Sequence, residues 1–203
     1  MDHLVPTVEQ DRQRMTDRLF LDDLHVGQRF ASASHVVDAD QIKRFAAEFD
    51  PQPFHLDEDA AANSLFAGLV ASGWHTAALT MRLLLMGGAP IAGGIVGAGG
   101  EIAWPRPTRP GDALQVVSEV MEIRPSRTKP DKGIVLLRSE TRNQRGEVVQ
   151  VLTAKLVVPR KPQASALPSK PIREAVVAGT NTHVRHVVRN DSAYDWEAAP
   201  WAW

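Results

Sequence analysis

The sequence predicts an α+β fold in which an antiparallel sheet packs on one buried helix. Residues 74–86 form the most apolar segment, with apolar side chains on nearly every face, which is typical of a helix enclosed by the rest of its domain. Beyond residue 100 three long segments, at 112–124, 133–142 and 147–158, are rich in β-branched and apolar residues. Helices followed by a run of strands indicate segregated layers, which is the pattern of α+β domains.

Upstream of the apolar segment, the sequence predicts a strand and then a helix. Residues 24–37 are interpreted as a strand, although their apolar and polar residues alternate only weakly. Asp38 and Gln41 have the spacing of a capping box, and apolar residues follow them at helical intervals. We therefore expect a helix over residues 39–49.

A short proline-containing stretch follows this predicted helix. Pro51 and Pro53 each disfavour the helical conformation of the residue before them. Residues 50–55 are therefore expected to form an extended, stiffened loop. A second, short helix with an acidic start is predicted over residues 57–63.

Glycines separate the apolar helix from the strands. The pair at 87–88 is expected to end the helix, and the glycine-rich run 87–100 predicts a mobile or closely approached loop. A short strand is predicted at 101–104. The turn residues 143–146 are typical of a hairpin between the last two strands.

Composition limits the classes of function. A chain of 203 residues and 22.2 kDa has room for one good core plus extensions. Its net charge of −1 provides no basic surface for nucleic acid or an anionic membrane. The absence of cysteine excludes disulfides and thiolate chemistry. No apolar run approaches the roughly 20 residues of a membrane span, so the sequence predicts a soluble, cytoplasmic protein.

The predicted domain organisation has three parts. Residues 1–18 form a polar N-terminal extension, 19–160 the folded domain, and 161–203 an irregular or disordered C-terminal extension. In the last part His183 and His186 have a spacing that imitates a metal pair, but no third ligand is nearby. We expect no metal site.

Three stretches together resemble the MaoC-like dehydratases, the (R)-specific enoyl-CoA hydratase group. They are FDPQPFHLD at 49–57, FAGLVASG at 66–73 and WPRPTRPGD at 104–112. The resemblance covers about residues 20–160 and implies a hot-dog fold, in which an antiparallel sheet wraps a long central helix. It also implies dimers that join two sheets edge to edge, and acyl thioesters of coenzyme A as substrates.

The resemblance also implies the catalytic residues. By motif, Asp50 and His55 match the catalytic pair of the family, and Gly73 matches its backbone donor to the thioester carbonyl. Hydration requires a group that removes a proton from water, a group that protonates the α carbon, and a donor to the enolate-like oxygen. A carboxylate, an imidazole and an N–H at a helix start can provide these, but the sequence leaves open which of Asp50 and His55 is the base.

Further residues are expected around the substrate: Gln52, Phe54, Ser72, Trp74, Gly97 and Gly99. Gln52 stands where many hydratases of the family have Asn before the proline. Ser72 is the natural N-cap of the central helix, and capping is favoured over substrate contact. His75 is interpreted as a packing residue. Arg106, Arg109, Arg124 and Arg127 are candidates for contacts with coenzyme A phosphates, although scattered surface arginines usually have no specific role.

The resemblance therefore implies a lyase of fatty acid metabolism that reversibly hydrates trans-2-enoyl-CoA to (R)-3-hydroxyacyl-CoA. No metal or redox cofactor is expected, since coenzyme A is part of the substrate. The partners expected are the acyl-CoA thioester and a second copy of the chain, in a homodimer or larger homo-oligomer. Two alternatives remain open, a hot-dog thioesterase and a non-catalytic acyl-CoA-binding subunit.

Overall fold

The computed structural model describes residues 18–162. The helices are α1 (Ala39–Phe49), α2 (Pro53–Leu56), α3 (Glu58–Ala62) and α4 (Gly73–Leu83). The strands are β1 (Arg29–Ala31), β2 (His35–Val36), β3 (Val96–Ala103), β4 (Ala113–Pro125), β5 (Lys132–Arg142) and β6 (Val148–Pro159). The expectations for residues 1–17, for 163–203 and for the histidines at 183 and 186 lie outside the described residues.

All six strands belong to one antiparallel sheet. Its order is β1-β4-β5-β6-β3, and β2 also pairs with β4. Along β5 every second residue is buried, because alternate side chains of a strand point to opposite faces and only one face meets the core. The predicted α+β fold, an antiparallel sheet around a central helix, is confirmed.

Helix α4 provides the other half of the core. Leu79 and Leu83 are buried against apolar residues of β4, β5 and β6. Thr80 and Thr141 also pair their buried hydroxyls at 2.6 Å between α4 and β5. A buried hydroxyl without a partner is costly, so this pair helps to fix the rotation of the helix on the sheet.

One face of α4 does not meet the core. Trp74 and Met81, together with Leu85 in the helical segment Leu84–Gly88 that follows, are 63%, 42% and 53% exposed in the isolated chain. The expectation of a helix buried all round is therefore wrong for this face. Its apolar residues recur at positions 74, 78, 81 and 85, which is the spacing of a single helical stripe.

The predicted caps of two helices are confirmed, whereas the predicted first strand is divided in two. The Asp38 carboxylate accepts the Gln41 N–H at 2.7 Å, as expected for the predicted cap. The predicted short helix is α3, with Asp57 as its N-cap. The predicted strand 24–37 is instead two short strands, because the Ser32 hydroxyl accepts the Val116 N–H at 2.9 Å in place of a backbone carbonyl.

The proline-containing stretch is only partly extended. Pro53 begins α2, so His55 lies in a helical turn and not in an extended loop as expected. A proline at the first position of a helix sacrifices no hydrogen bond, because that N–H has no intrahelical partner. The extended conformation is confined to the residues that precede Pro53, where Gln52 has a φ of −84° and a ψ of 142°.

The glycine-rich run also differs from the expectation of a loop. The pair at 87–88 ends the helical segment Leu84–Gly88, as predicted, but β3 already begins at Val96. Its pairing with β6 shifts register between Gly97 and Gly100, where Gly99 has a φ of +112°. Glycines serve here to form a bulge and to allow close strand approach.

Within residues 18–162, no helix combines the length and the apolar character that crossing a bilayer requires.

The close approach at β3 gives a test of the packing. A Cβ added at Gly100 would lie 2.5 Å from the Thr153 carbonyl oxygen, whereas one at Gly97 meets nothing within 4 Å. Gly100→Ala should lower the free energy of unfolding by about 1–3 kcal/mol in urea denaturation. Gly97→Ala is the matched control and should have little effect. Equal stability of the two variants would contradict the described pairing of β3 with β6.

Candidate active site

Asp50 lies just after α1, and three groups converge on its carboxylate. The Ser72 hydroxyl donates to Asp50 Oδ2 at 2.6 Å, and Gln52 Nε2 donates to Oδ1 at 2.8 Å. His55 Nε2 lies 3.5 Å from the same Oδ2. The Gln52 amide thus reaches the Asp50 carboxylate.

His55 is buried, and its ring orientation is fixed by the backbone. Its Nδ1 lies 2.7 Å from the Val70 carbonyl oxygen, which can only accept a hydrogen bond. Nδ1 must therefore carry the proton, and in the neutral imidazole the lone pair lies on Nε2, the atom nearest Asp50. The site therefore presents two proton acceptors side by side.

Ser72 joins this pair to the start of α4. Its hydroxyl accepts the Trp74 N–H at 3.2 Å while donating to Asp50, so the expected capping role is confirmed and extended. Gly73 is the first residue of α4, and its N–H has no acceptor among residues 18–162. A free N–H at a helix start favours a negatively charged oxygen.

A cavity of about 490 Å³ brings these groups together. Of the predicted site residues, it is lined by Asp50, Gln52, Phe54, His55, Ser72, Gly73 and Trp74. The proline-rich segment 104–108 forms its opposite wall. That wall is attached to the site, because the Ala71 N–H donates to the Thr108 carbonyl at 2.8 Å and Thr76 donates to the Thr108 hydroxyl at 3.0 Å.

Residues 23–143 match the family of the MaoC like domain. The chain belongs to this family. A MaoC-like dehydratase from Rhodospirillum rubrum has a similar structure, with a TM-score of 0.71 and 64% identity over 71% of this chain and 99% of that one. The R-hydratase PhaJ1 from Pseudomonas aeruginosa is similar at a TM-score of 0.59 and 26% identity, over 77% and 97% of the two chains.

A further relative is the uncharacterised protein YdeM of Bacillus subtilis (strain 168). It is 37% identical over 128 residues, which are 62% of this chain and 88% of YdeM. The fold of this MaoC-like domain is the hot-dog fold of its structural relatives, as the resemblance of the sequence implies. Membership of the family supports hydratase or dehydratase chemistry.

Gly97 and Gly99 of this MaoC-like domain do not lie with the other predicted residues. They line a second, mainly apolar cavity of about 360 Å³ between α4 and the sheet. Met81, Leu84 and Ala154 are among its other lining residues. Trp74 lines both cavities.

Trp104 is a site residue that sequence reasoning missed. A Cβ added to Gly73 would lie 2.9 Å from its indole ring, so the ring occupies the space that a side chain would fill. Trp104 Nε1 donates to the buried Gln150 Oε1 at 2.9 Å, which fixes the ring against the glycine. The glycine is therefore required by packing against Trp104.

The arginines divide into two groups. Arg106 lines the mouth of the Asp50 cavity, whereas Arg109 donates to the Phe66 carbonyl at 2.6 Å and has a structural role. Arg124 pairs with Glu122, and neither Arg124 nor Arg127 lines the cavity.

Hydrogen bonding also sets the charge of Asp50. The Ser72 hydroxyl, followed by the Gln52 amide, lowers the pKa of Asp50 below its ordinary value, and burial opposes them. Because this pKa is lower in the folded protein, ionised Asp50 stabilises the fold above the pKa of an unfolded carboxyl. That stabilisation is lost as the pH falls through the lowered value.

Replacing the two donors tests this assignment. Ser72→Ala should raise the pKa of Asp50 towards the ordinary value, and Gln52→Ala should raise it less, because the serine has the larger effect. The measurement is a pH titration of the Asp50 carboxyl carbon by NMR. An unchanged titration in Ser72→Ala would show that the hydroxyl does not donate to Asp50.

Proposed function

We propose that this MaoC-like domain catalyses the reversible hydration of trans-2-enoyl-CoA to (R)-3-hydroxyacyl-CoA. The observation that carries the proposal is the convergence of the Asp50 carboxylate and His55 Nε2, 3.5 Å apart, in a cavity that Gly73 also lines. The family membership and the R-hydratase among the structural relatives support the same chemistry.

The geometry favours His55 as the base. Both groups can accept a hydrogen bond from one water molecule, but the low pKa of Asp50 makes its carboxylate the weaker base. In the proposed reaction Nε2 removes a proton from water, and the water oxygen bonds to the β carbon. The π electrons move towards the thioester carbonyl, and the proton on Nε2 then passes to the α carbon. Asp50 orients the water and stabilises the imidazolium.

The Gly73 N–H has the role of oxyanion donor in this proposal. Negative charge develops on the thioester oxygen as the β carbon is attacked, and a donor already in place needs no reorganisation to stabilise it. The uncommitted N–H at the start of α4 supports this role.

The second cavity is proposed to hold the acyl chain. Its apolar lining suits a hydrocarbon, and Trp74 lines both this cavity and the Asp50 cavity. In this interpretation Gly97 and Gly99 still contribute to substrate binding, as expected from the sequence. They do so by lining the second cavity, which would hold the acyl chain, and they do not lie beside the reacting atoms.

A homodimer is proposed as the assembly. The exposed apolar stripe of α4 and the unpaired outer edge of β3 within the described residues are surfaces that a second copy can cover. Sedimentation velocity of the full chain tests this, and a monomer would refute it.

Turnover provides the test of the reaction. Hydration of crotonyl-CoA, followed by loss of its conjugated thioester absorbance, should fall at least about 100-fold in Asp50→Asn and in His55→Ala, because each removes an acid/base group. Asp40→Asn and His25→Ala are controls on exposed residues outside the cavity and should retain activity.

Other outcomes identify the alternatives. Release of free thiol from a saturated acyl-CoA without hydration would show a thioesterase. Acyl-CoA binding by calorimetry without turnover at any chain length would show a non-catalytic subunit.

The preference of the protein for substrates of different acyl chain length tests the proposed role of the second cavity. Ala154→Leu places a larger side chain in the apolar cavity, so the KM for a ten-carbon enoyl-CoA should rise about tenfold or more, whereas crotonyl-CoA should be hydrated as before. Ala47→Leu, an exposed site on α1, is the matched control. A uniform effect on both substrates would place the acyl chain elsewhere.

A further inference from the structure

A third concavity lies between α1 and α4. It has a volume of about 520 Å³ and shares no lining residue with the two cavities described above. This volume is within the range of pockets that hold small molecules. We call it the α1–α4 groove, and its walls are both basic and aromatic.

The basic side chains are those of Arg44, Arg82, His35 and His75. Neither guanidinium has a carboxylate oxygen within 4.0 Å among residues 18–162. Guanidinium groups bind phosphate through paired N–H donors, and two arginines without an internal partner retain that capacity.

His75 adds a buried and unsatisfied nitrogen. The residue is 6% exposed, its ring stacks on Phe45 at a centroid distance of 4.7 Å, and its Nδ1 has no hydrogen-bond partner among the described residues. Burial lowers the pKa of His75, so the ring is neutral and carries one donor and one acceptor nitrogen. A buried polar atom without a partner is uncommon, and a ligand in the groove would satisfy it.

The rest of the groove favours a ring-bearing ligand over a simple anion. Phe49 is 63% exposed and lies 5.0 Å from Phe45, so its aromatic face is open for stacking. Glu48 lines the groove beside it and forms no ion pair within residues 18–162. Its carboxylate would repel a bare phosphate, but it can accept hydrogen bonds from hydroxyl or amino groups.

We propose that the α1–α4 groove binds a nucleotide. Its phosphate contacts Arg44 and Arg82, its base stacks on Phe49, and its sugar hydroxyls or exocyclic amine donate to Glu48. Two sources share this chemistry, a free nucleotide and the nucleotide half of the coenzyme A substrate. The second source rests on the proposed hydratase function, whereas nucleotide binding itself does not.

Calorimetry with adenosine 3′,5′-bisphosphate and the full chain tests the proposal. Saturable binding is expected in the wild type, and Arg44→Gln and Arg82→Gln should each weaken it about tenfold or more. Lys43→Gln is the control, because it removes the same charge from α1 outside the groove. His75→Phe keeps the stacked ring, removes both nitrogens and should also weaken binding.

Several results would overturn the proposal. They are the absence of nucleotide binding, equal affinity in the arginine variants and the wild type, and binding of inorganic phosphate as tight as that of the nucleotide. The last result would show that the aromatic wall contributes nothing.

A kinetic comparison separates the two sources. If the groove holds the nucleotide half of the substrate, Arg44→Gln and Arg82→Gln should raise the KM for crotonyl-CoA and leave that for crotonyl-pantetheine unchanged. Nucleotide binding that does not compete with acyl-CoA would identify a free nucleotide as the ligand. If the protein binds nucleotide but hydrates neither thioester, the proposed hydratase activity is refuted and the proposed nucleotide binding in the α1–α4 groove still stands.

Discussion

The arrangement of the site depends on the hydroxyl of Ser72. It accepts the Trp74 N–H at the start of α4 and donates to Asp50 after α1, so one oxygen joins the central helix to the segment that carries the acid/base pair. The two bonds link Asp50 to the start of α4, where Gly73 lies, although Asp50 and Gly73 belong to different elements. The same donor lowers the pKa of Asp50, so it determines the position of the carboxylate and keeps it ionised.

Much of the fold follows from rules that act over a few residues. The Asp38 cap, the end of the helical segment at glycines 87–88 and the hairpin turn at 143–146 were predictable because each depends on its immediate neighbours. Asp50, His55 and Gly73, which the sequence motifs identify, line one cavity, as the resemblance implies. The bond from Ser72 to Asp50 and the bond from His55 to the Val70 carbonyl were not predictable, since they join residues 22 and 15 positions apart.

Glycine was the residue type that sequence reasoning interpreted least well. Gly73 was expected to leave room for a ligand, but its missing Cβ also accommodates the Trp104 ring. Gly97 and Gly100 were expected in a loop, but they belong to a bulged strand beside the apolar cavity. At Gly73 and Gly100 the need for glycine comes from a partner distant in sequence, Trp104 and Thr153 respectively. A local sequence pattern therefore shows where such glycines occur, but it does not identify the residues that pack against them.

The bond between His55 Nδ1 and the Val70 carbonyl has a stereochemical consequence. Because Nδ1 is bonded to the Val70 carbonyl, only Nε2 can exchange protons with groups in the cavity. A proton that Nε2 takes up must therefore be released from Nε2 as well. In the proposed reaction the hydroxyl group and the new α hydrogen therefore reach the substrate from the same direction. In that reaction both groups are added to one face of the double bond, which is syn addition.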